Sequence, residues 1–284
     1  MSSVDAVAVL GAGTMGHGIA QVCAAAGCAV RLYDLDDETI RHGLHRIRGN
    51  LDKGIERGKV TEAERTAVLV GISSTTVVGE AVRGVDLVIE AAPESIELKE
   101  RIFAEVDRSA PDHAILATNT SSLSIGRIAS AVRDPKRFVG MHFFNPVHIM
   151  PLVEVVWGPE TAAATRDHAV EFVRRLGKEP IVVKDAPGFA SSRLGIVLGM
   201  EAIRMVEQEV ATAEDIDRAM ELGYRHPMGP LRLTDLVGLD VRLGIAEYLH
   251  ETIGSDAFRP PELLRRMVSE GKLGKKSGEG FYSW

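Results

Sequence analysis

The sequence predicts an α/β protein, a doubly wound parallel sheet followed by a second, all-α domain. Two observations carry that expectation. Short apolar runs alternate with helical stretches as far as residue 184, the pattern of a parallel sheet covered on both faces. From Asp185-Ala186-Pro187-Gly188 onward no strand pattern is seen, and apolar residues recur at helical spacing in Leu194, Val197, Leu198, Met200, Ala202, Ile203 and Val206. A chain of 284 residues exceeds the roughly 100–200 residues of one domain, so domains over 1–184 and 185–284 are expected.

The first strand is the apolar run Ala6-Val7-Ala8-Val9-Leu10, and Gly11, Gly13 and Gly16 follow it in GxGxxG spacing. Gly11 permits a tight turn, Gly13 lets the backbone approach a pyrophosphate, and Gly16 lets the next helix pack closely on the strand. The pyrophosphate would rest on free N–H groups where that helix opens, near Thr14 and Met15. A second apolar run, Cys28 to Tyr33, ends at Asp34, eighteen positions after Gly16, where a carboxylate can accept from both hydroxyls of an adenosine ribose. Strand, glycine turn, helix, strand and acid make a complete Rossmann-type dinucleotide-binding unit. NAD is the expected cofactor, because the 2′-phosphate of NADP would meet Asp34 with Asp36 and Asp37 close behind.

Residues 36–68 form a long, charged helical extension where a minimal nucleotide fold needs only a short crossover. Strands resume at Ile72-Ser73-Ser74, Asp86 to Glu90, Ala114 to Thr118 and Phe138 to His142. Leu152 to Val156 and Ile181 to Val183 flank a helix from Thr161 to Leu176. In the helical domain Thr212 and Asp215 make a capping-box-like start, Gly223 suits a helix end, and Pro227 and Pro230 mark the next connection. Its apolar surface can pack on itself, on the first domain or on a second copy of the chain.

With 45% hydrophobic residues, 26% charged residues and a formal net charge of −7, the chain reads as an acidic soluble protein with no basic surface for nucleic acid. There is no leader pattern, and no apolar run approaches the roughly 18 residues of a membrane span, so a cytoplasmic location is expected. Cys23 and Cys28, the only cysteines, are expected to pack as free thiols in a reducing compartment. His42 and His45 share a helix face but lack further ligands at metal-binding spacing, so no metal is expected. No G-x-S-x-G elbow suggests a hydrolase.

The chemistry concentrates between Ser121 and Glu154, where strand ends form the ligand crevice of a doubly wound sheet. His142 ends a strand and opens His142-Phe143-Phe144-Asn145-Pro146, a titratable head beside two aromatics that exclude water. Histidine titrates near neutrality and can take a hydroxyl proton as a hydride leaves the same carbon; the plainer alternative is a satisfied strand-end histidine. Glu154, twelve positions on, is a lone carboxylate in an apolar strand and needs a partner if buried. Pairing with His142 would make a base; an arginine ion pair is the alternative. Ser121 and Ser122 can donate to a substrate carbonyl or simply form a turn.

Taken together, Asn119-Thr120-Ser121-Ser122, His142 to Pro146, Leu152-Val153-Glu154-Val155, Asp185 to Phe189 and the tail from Gly274 to Tyr282 resemble the L-3-hydroxyacyl-CoA dehydrogenases over essentially the whole length. The resemblance implies an NAD-binding first domain and a helical second domain that dimerises and closes over the acyl chain of a coenzyme A thioester. It makes His142 the base and Glu154 its partner, sets Ser121 on the substrate oxygen and Asn145 near the nicotinamide, and assigns Glu94, Lys99 and Lys276 to the cofactor. It also gives the helical extension a purpose, a helix pair whose lysines, with Lys53 the best match, meet the coenzyme A phosphates. One position departs from the family pattern: Ser192 stands where many members have an asparagine that bonds the thioester substrate, which opens the question of acyl preference. Two alternatives use the same scaffold, a dehydrogenase of a free hydroxy acid such as L-gulonate and a non-catalytic, crystallin-like nucleotide-binding protein.

Overall fold

In the computed structural model, which describes residues 4–284, one unit ends at Ala186 and a second begins at Pro187, two residues beyond the boundary expected from sequence. The first unit is an eight-stranded sheet in the order β3-β2-β1-β4-β5-β6-β7-β8. Its strands are β1 (Ala6–Leu10), β2 (Ala29–Tyr33), β3 (Ile72–Thr75), β4 (Leu87–Glu90), β5 (Ile115–Thr118), β6 (Phe138–Phe143), β7 (Leu152–Trp157) and β8 (Glu179–Lys184). The helices are α1 (Gly16–Ala25), α2 (Asp37–Glu56), α3 (Glu62–Val70), α4 (Val78–Ala81), α5 (Ile96–Ser109), α6 (Ile125–Ala129) and α7 (Ala163–Arg175). Every strand read from the sequence is present, with no end shifted by more than two residues. The central strands are continuous apolar runs because helices cover both faces; β4 and β5 are buried at all positions.

The doubly wound, mostly parallel sheet expected from the sequence is present, and one pair runs the other way. β6 and β7 run antiparallel, because the connection over residues 144–151 is shorter than the dozen or so residues that a parallel crossover needs. The return sets His142 directly opposite Glu154 in the ladder. β8 then pairs parallel to β7.

The strand order reverses between β1 and β4, so the ligand crevice lies at their carboxyl ends. Gly11 turns there with φ +106°, and a Cβ on it would stand 2.8 Å from the Ala91 carbonyl oxygen; a Cβ on Gly16 would stand 1.7 Å from that of Gly11. These two glycines let α1 and the β4 loop close on the end of β1.

The charged stretch after β2 is broken into two helices. Asp36 caps α2 by accepting from the Thr39 amide at 2.8 Å. Gly58 then turns the chain with φ +65°, and Thr61 and Glu64 form a reciprocal capping box at the start of α3. The resulting helix pair is the expected extension.

The second unit is helical, with α8 (Ser191–Glu207), α9 (Ala213–Arg218), α10 (Pro230–Val237), α11 (Leu239–Ile253) and α12 (Glu262–Ser269) around a core of Ile196, Met200, Ile203, Leu231, Leu239, Ala246 and Leu249. Thr212 caps α9 through the Asp215 amide at 3.1 Å, and a π turn closes that helix at Gly223. The C-terminal tail is tied down by Asp235, which accepts from the Phe281 and Tyr282 amides and from Trp284 Nε1, each at 2.9 Å. A Cβ on Gly280 would lie 2.3 Å from Asp235 Oδ1, so the glycine of the tail motif is required by packing. Among the described residues no helix is long and apolar enough to cross a membrane.

Candidate active site

His142 and Glu154 come together because β6 and β7 carry them at one register position on neighbouring strands. The ring Nδ1 and Glu154 Oε2 are 2.7 Å apart. Glu154 has no exposed surface and His142 is 7% exposed. A carboxylate that accepts the Nδ1 proton leaves Nε2 as the accepting nitrogen of the ring, the orientation a general base requires. The arginine pairing considered for Glu154 is therefore replaced by the imidazole. Phe144 lies against the ring, centroids 4.4 Å apart, and exposed Asn145 follows.

His148, a second histidine close by on the connection after β6, has no carboxylate partner among the described residues. Its pKa is held below the usual histidine range by partial burial and by the positive neighbours His17, Lys178 and Lys53. Lys53 itself is exposed in the last turn of α2.

The loops around the base are tied together by groups whose roles sequence reading missed. Asn119 Oδ1 accepts the Phe143 amide at 2.8 Å and so fixes the residue after His142. Lys178 Nζ donates to the Val147 and Met150 carbonyls at 2.6 and 2.7 Å, clamping the connection between the two catalytic strands. Glu90, buried at the end of β4, accepts from Lys99 Nζ, the Thr118 hydroxyl and the Ala92 amide, each at 2.6 Å. A carboxylate ending an apolar strand was the available signal for Glu90, the same one that singled out Glu154.

Lys99 requires a correction. Expected to touch the cofactor, it has no exposed surface, because its ammonium is consumed by Glu90, by the Ala92 carbonyl at 3.2 Å and by Glu94 at 3.7 Å. Its part is to hold Glu94 in place. Glu94 Oε1 in turn accepts from the Thr120 hydroxyl at 2.6 Å and from the Ser121 amide and hydroxyl at 2.9 and 3.1 Å. Ser122 is buried and its amide donates to the Thr120 hydroxyl oxygen at 3.3 Å, the turn-forming reading.

The glycine turn fits a dinucleotide. A Cβ at Gly13 would meet nothing within 4 Å, an open approach for a phosphate, and α1, with Met15 at its N-cap, has no side-chain cap and no acid in its first turn, so its N–H groups face outward without competition. Thr14 and Met15 lie at that opening. Asp34 Oδ2 accepts the Ala12 amide at 2.7 Å and Oδ1 the Leu35 amide at 2.7 Å, which fixes the carboxylate and leaves one lone pair per oxygen for ribose hydroxyls.

In the second unit, Ser192 stands in the first turn of α8. Lys276 Nζ pairs with Asp240 at 2.6 Å.

Comparison with known proteins places this arrangement. Residues 6–186 match the family model for the 3-hydroxyacyl-CoA dehydrogenase NAD binding domain, and residues 188–284 match that for the 3-hydroxyacyl-CoA dehydrogenase C-terminal domain. The chain belongs to the 3-hydroxyacyl-CoA dehydrogenase family. Among family members, a probable 3-hydroxybutyryl-CoA dehydrogenase of Bacillus subtilis is 45% identical over 99% of this chain and 98% of its own length. The crystal structure of Mycobacterium tuberculosis FadB2 superposes with a TM-score of 0.97 at 44% identity, covering 100% of both chains. That of (S)-3-hydroxybutyryl-CoA dehydrogenase from Ralstonia eutropha gives 0.95 at 40%, covering 99% of each.

The Glu90–Lys99 pair yields a stability prediction. Lys99→Met leaves a fully buried carboxylate without its cation and should cost about 3–5 kcal/mol in urea unfolding, with Lys99→Met/Glu90→Gln recovering most of it. A single variant within about 1 kcal/mol of the parent would show that the pair is dispensable.

Proposed function

We propose that this chain is an NAD-dependent dehydrogenase that oxidises (S)-3-hydroxyacyl-CoA thioesters, with short chains such as 3-hydroxybutyryl-CoA, reversibly to 3-oxoacyl-CoA. The observation that carries the reading is the buried His142–Glu154 pair, with His142 near the carboxyl end of β6 and the glycine turn at the carboxyl end of β1 in the same sheet. Membership of the family and full-length similarity to proteins named 3-hydroxybutyryl-CoA dehydrogenase support the thioester over a free hydroxy acid. The intact pair argues against a purely structural, crystallin-like role.

NAD, when bound, supplies the hydride acceptor. His142 Nε2 takes the C3 hydroxyl proton as the hydride leaves that carbon, and the oxygen becomes the ketone. Glu154, already facing the Nδ1 proton, favours the positive charge that develops on the ring. The same proton returns from His142 in reduction. Ser121, held by Glu94, meets the substrate oxygen; Asn145 and Glu94 face the nicotinamide end; Ser192 takes the thioester side; Lys53 meets a coenzyme A phosphate. The buried thiols Cys23 and Cys28 suit the reducing cytoplasm.

With acetoacetyl-CoA and NADH, His142→Ala should lower kcat by roughly 10²–10⁴-fold with NADH affinity nearly intact, and Glu154→Gln should approach that loss. Near-normal turnover in either folded variant would move the base elsewhere.

NADH should outperform NADPH in kcat/KM by about tenfold or more, because a 2′-phosphate loses the hydrogen bonds to Asp34 and meets its charge. Comparable efficiencies would remove Asp34 from the ribose site.

The protein is also proposed to be a homodimer through its helical unit. Leu194 on α8, Leu233, Leu236 and Val237 on α10 and Val241 on α11 are exposed, and apolar surface on this scale is rarely left wet. Light scattering should give twice the 30.7 kDa of one chain, and Leu194→Glu/Leu236→Glu should give the single-chain mass; a parent that is itself monomeric refutes the dimer.

A further inference from the structure

The helical unit contains a charge that nothing in it answers. Arg242 falls in the core stripe of α11 with Leu239, Ala246 and Leu249, and is 6% exposed. Among the described residues its side chain has no hydrogen-bond acceptor or ion-pair partner, and Nε is sealed from solvent without one. Burial is the only influence on its acidity, pulling the guanidinium down to about 10. A buried cation without a partner is strongly unfavourable, so its retention calls for an anion that this unit does not supply.

The space around it is built for the guanidinium. Gly195 and Gly199 of α8 face it, and a Cβ on them would stand 3.3 and 4.0 Å from Nη1. Two glycines a turn apart are poor for helix formation, and here they open the slot that Arg242 fills. Ser192, Gly195 and Gly199 are spaced by three and four residues and share one face of α8, with Gly195 about 4.5 Å of helix rise beyond Ser192. Arg242 therefore lies one turn past the residue assigned to the thioester side of the substrate.

We propose that Arg242 is a carboxylate-recognition site and that the favoured substrates are 3-hydroxyacyl-CoA thioesters whose acyl group ends in a second carboxylate. The inference rests on the dehydrogenase reading above. A planar guanidinium fork matches a planar carboxylate through two parallel hydrogen bonds, a match that a tetrahedral phosphate makes less well. A methyl-terminated acyl chain leaves the cation bare in the free and bound protein alike, whereas a terminal carboxylate satisfies it only in the complex. The charge is thus a source of discrimination between acyl groups of equal length.

The test compares adipyl-CoA with hexanoyl-CoA, unreactive thioesters of equal chain length that lack the 3-hydroxyl, by calorimetry on the full-length protein. The parent should bind adipyl-CoA at least about tenfold more tightly. Arg242→Met should bring the ratio close to one, and Arg242→Lys, which keeps the charge should Arg242→Met fail to fold, should retain part of it. Steady-state reduction of 3-oxoadipyl-CoA and 3-oxohexanoyl-CoA by NADH should show the same change in the kcat/KM ratio. Equal affinities in the parent, or a ratio that Arg242→Met leaves in place, overturn the proposal. So does an unchanged ratio accompanied by loss of the dimer, which assigns the guanidinium to a carboxylate of a second copy. A parent that reduces neither oxo-thioester yet prefers adipyl-CoA overturns the dehydrogenase reading and upholds the carboxylate site.

Discussion

A carboxylate with no exposed surface, set inside an otherwise apolar strand, is faced in this fold by an imidazole from the neighbouring strand. Much of the surrounding architecture preserves that encounter. A slip of one residue between β6 and β7 would send Glu154 to the opposite face of the sheet, so the register must be held. The short connection makes the strands antiparallel, Lys178 grips the connection by two of its carbonyls, and Asn119 pins the residue beside His142. The buried charge and the rigid turn are two aspects of one arrangement.

The same economy recurs at the ends of the central strands. Hydrophobic burial in β1, β4 and β5 supplies the stability, while a few buried polar groups convert that stability into loop geometry. Asp34 holds the glycine turn through the Ala12 amide, Glu90 ties the loop after β4 to the end of β5, and Lys99 passes that constraint to Glu94 and on to Ser121. Each carboxylate is satisfied by several donors, which is how charge survives in an apolar interior.

The helical unit follows a different plan. Its core is aliphatic, and its tail is fastened by Asp235, against which Gly274 and Gly280 pack so closely that neither admits a side chain. A motif that reads as chemistry in the sequence is therefore largely a fastening of the chain end. Against that background the guanidinium of Arg242, buried with no partner among the described residues, is a departure.

Local pattern was sufficient for most of the fold. The alternation of strands and helices, the glycine turn, the acid after β2 and the change to helical spacing near Asp185 depend on neighbours in the chain, and all are found where periodicity and turn chemistry put them. His142 and Glu154 were legible individually, one as a titratable group at a strand end and the other as a charge out of place among Leu152, Val153 and Val155. Their union stayed open on the residues alone, with an arginine pair as the alternative, and was expected only from the family resemblance; it depends on the direction in which β7 returns, which hydrophobic alternation does not mark. The burial of Lys99, the clamp of Lys178 and the isolation of Arg242 were hidden. Each is a statement about groups 9 to 31 positions apart in the chain, or about a partner that is missing. Composition and spacing record which side chains a segment carries; which of them share a buried volume, and which are left without a counter-charge, is settled only when the chain has closed on itself.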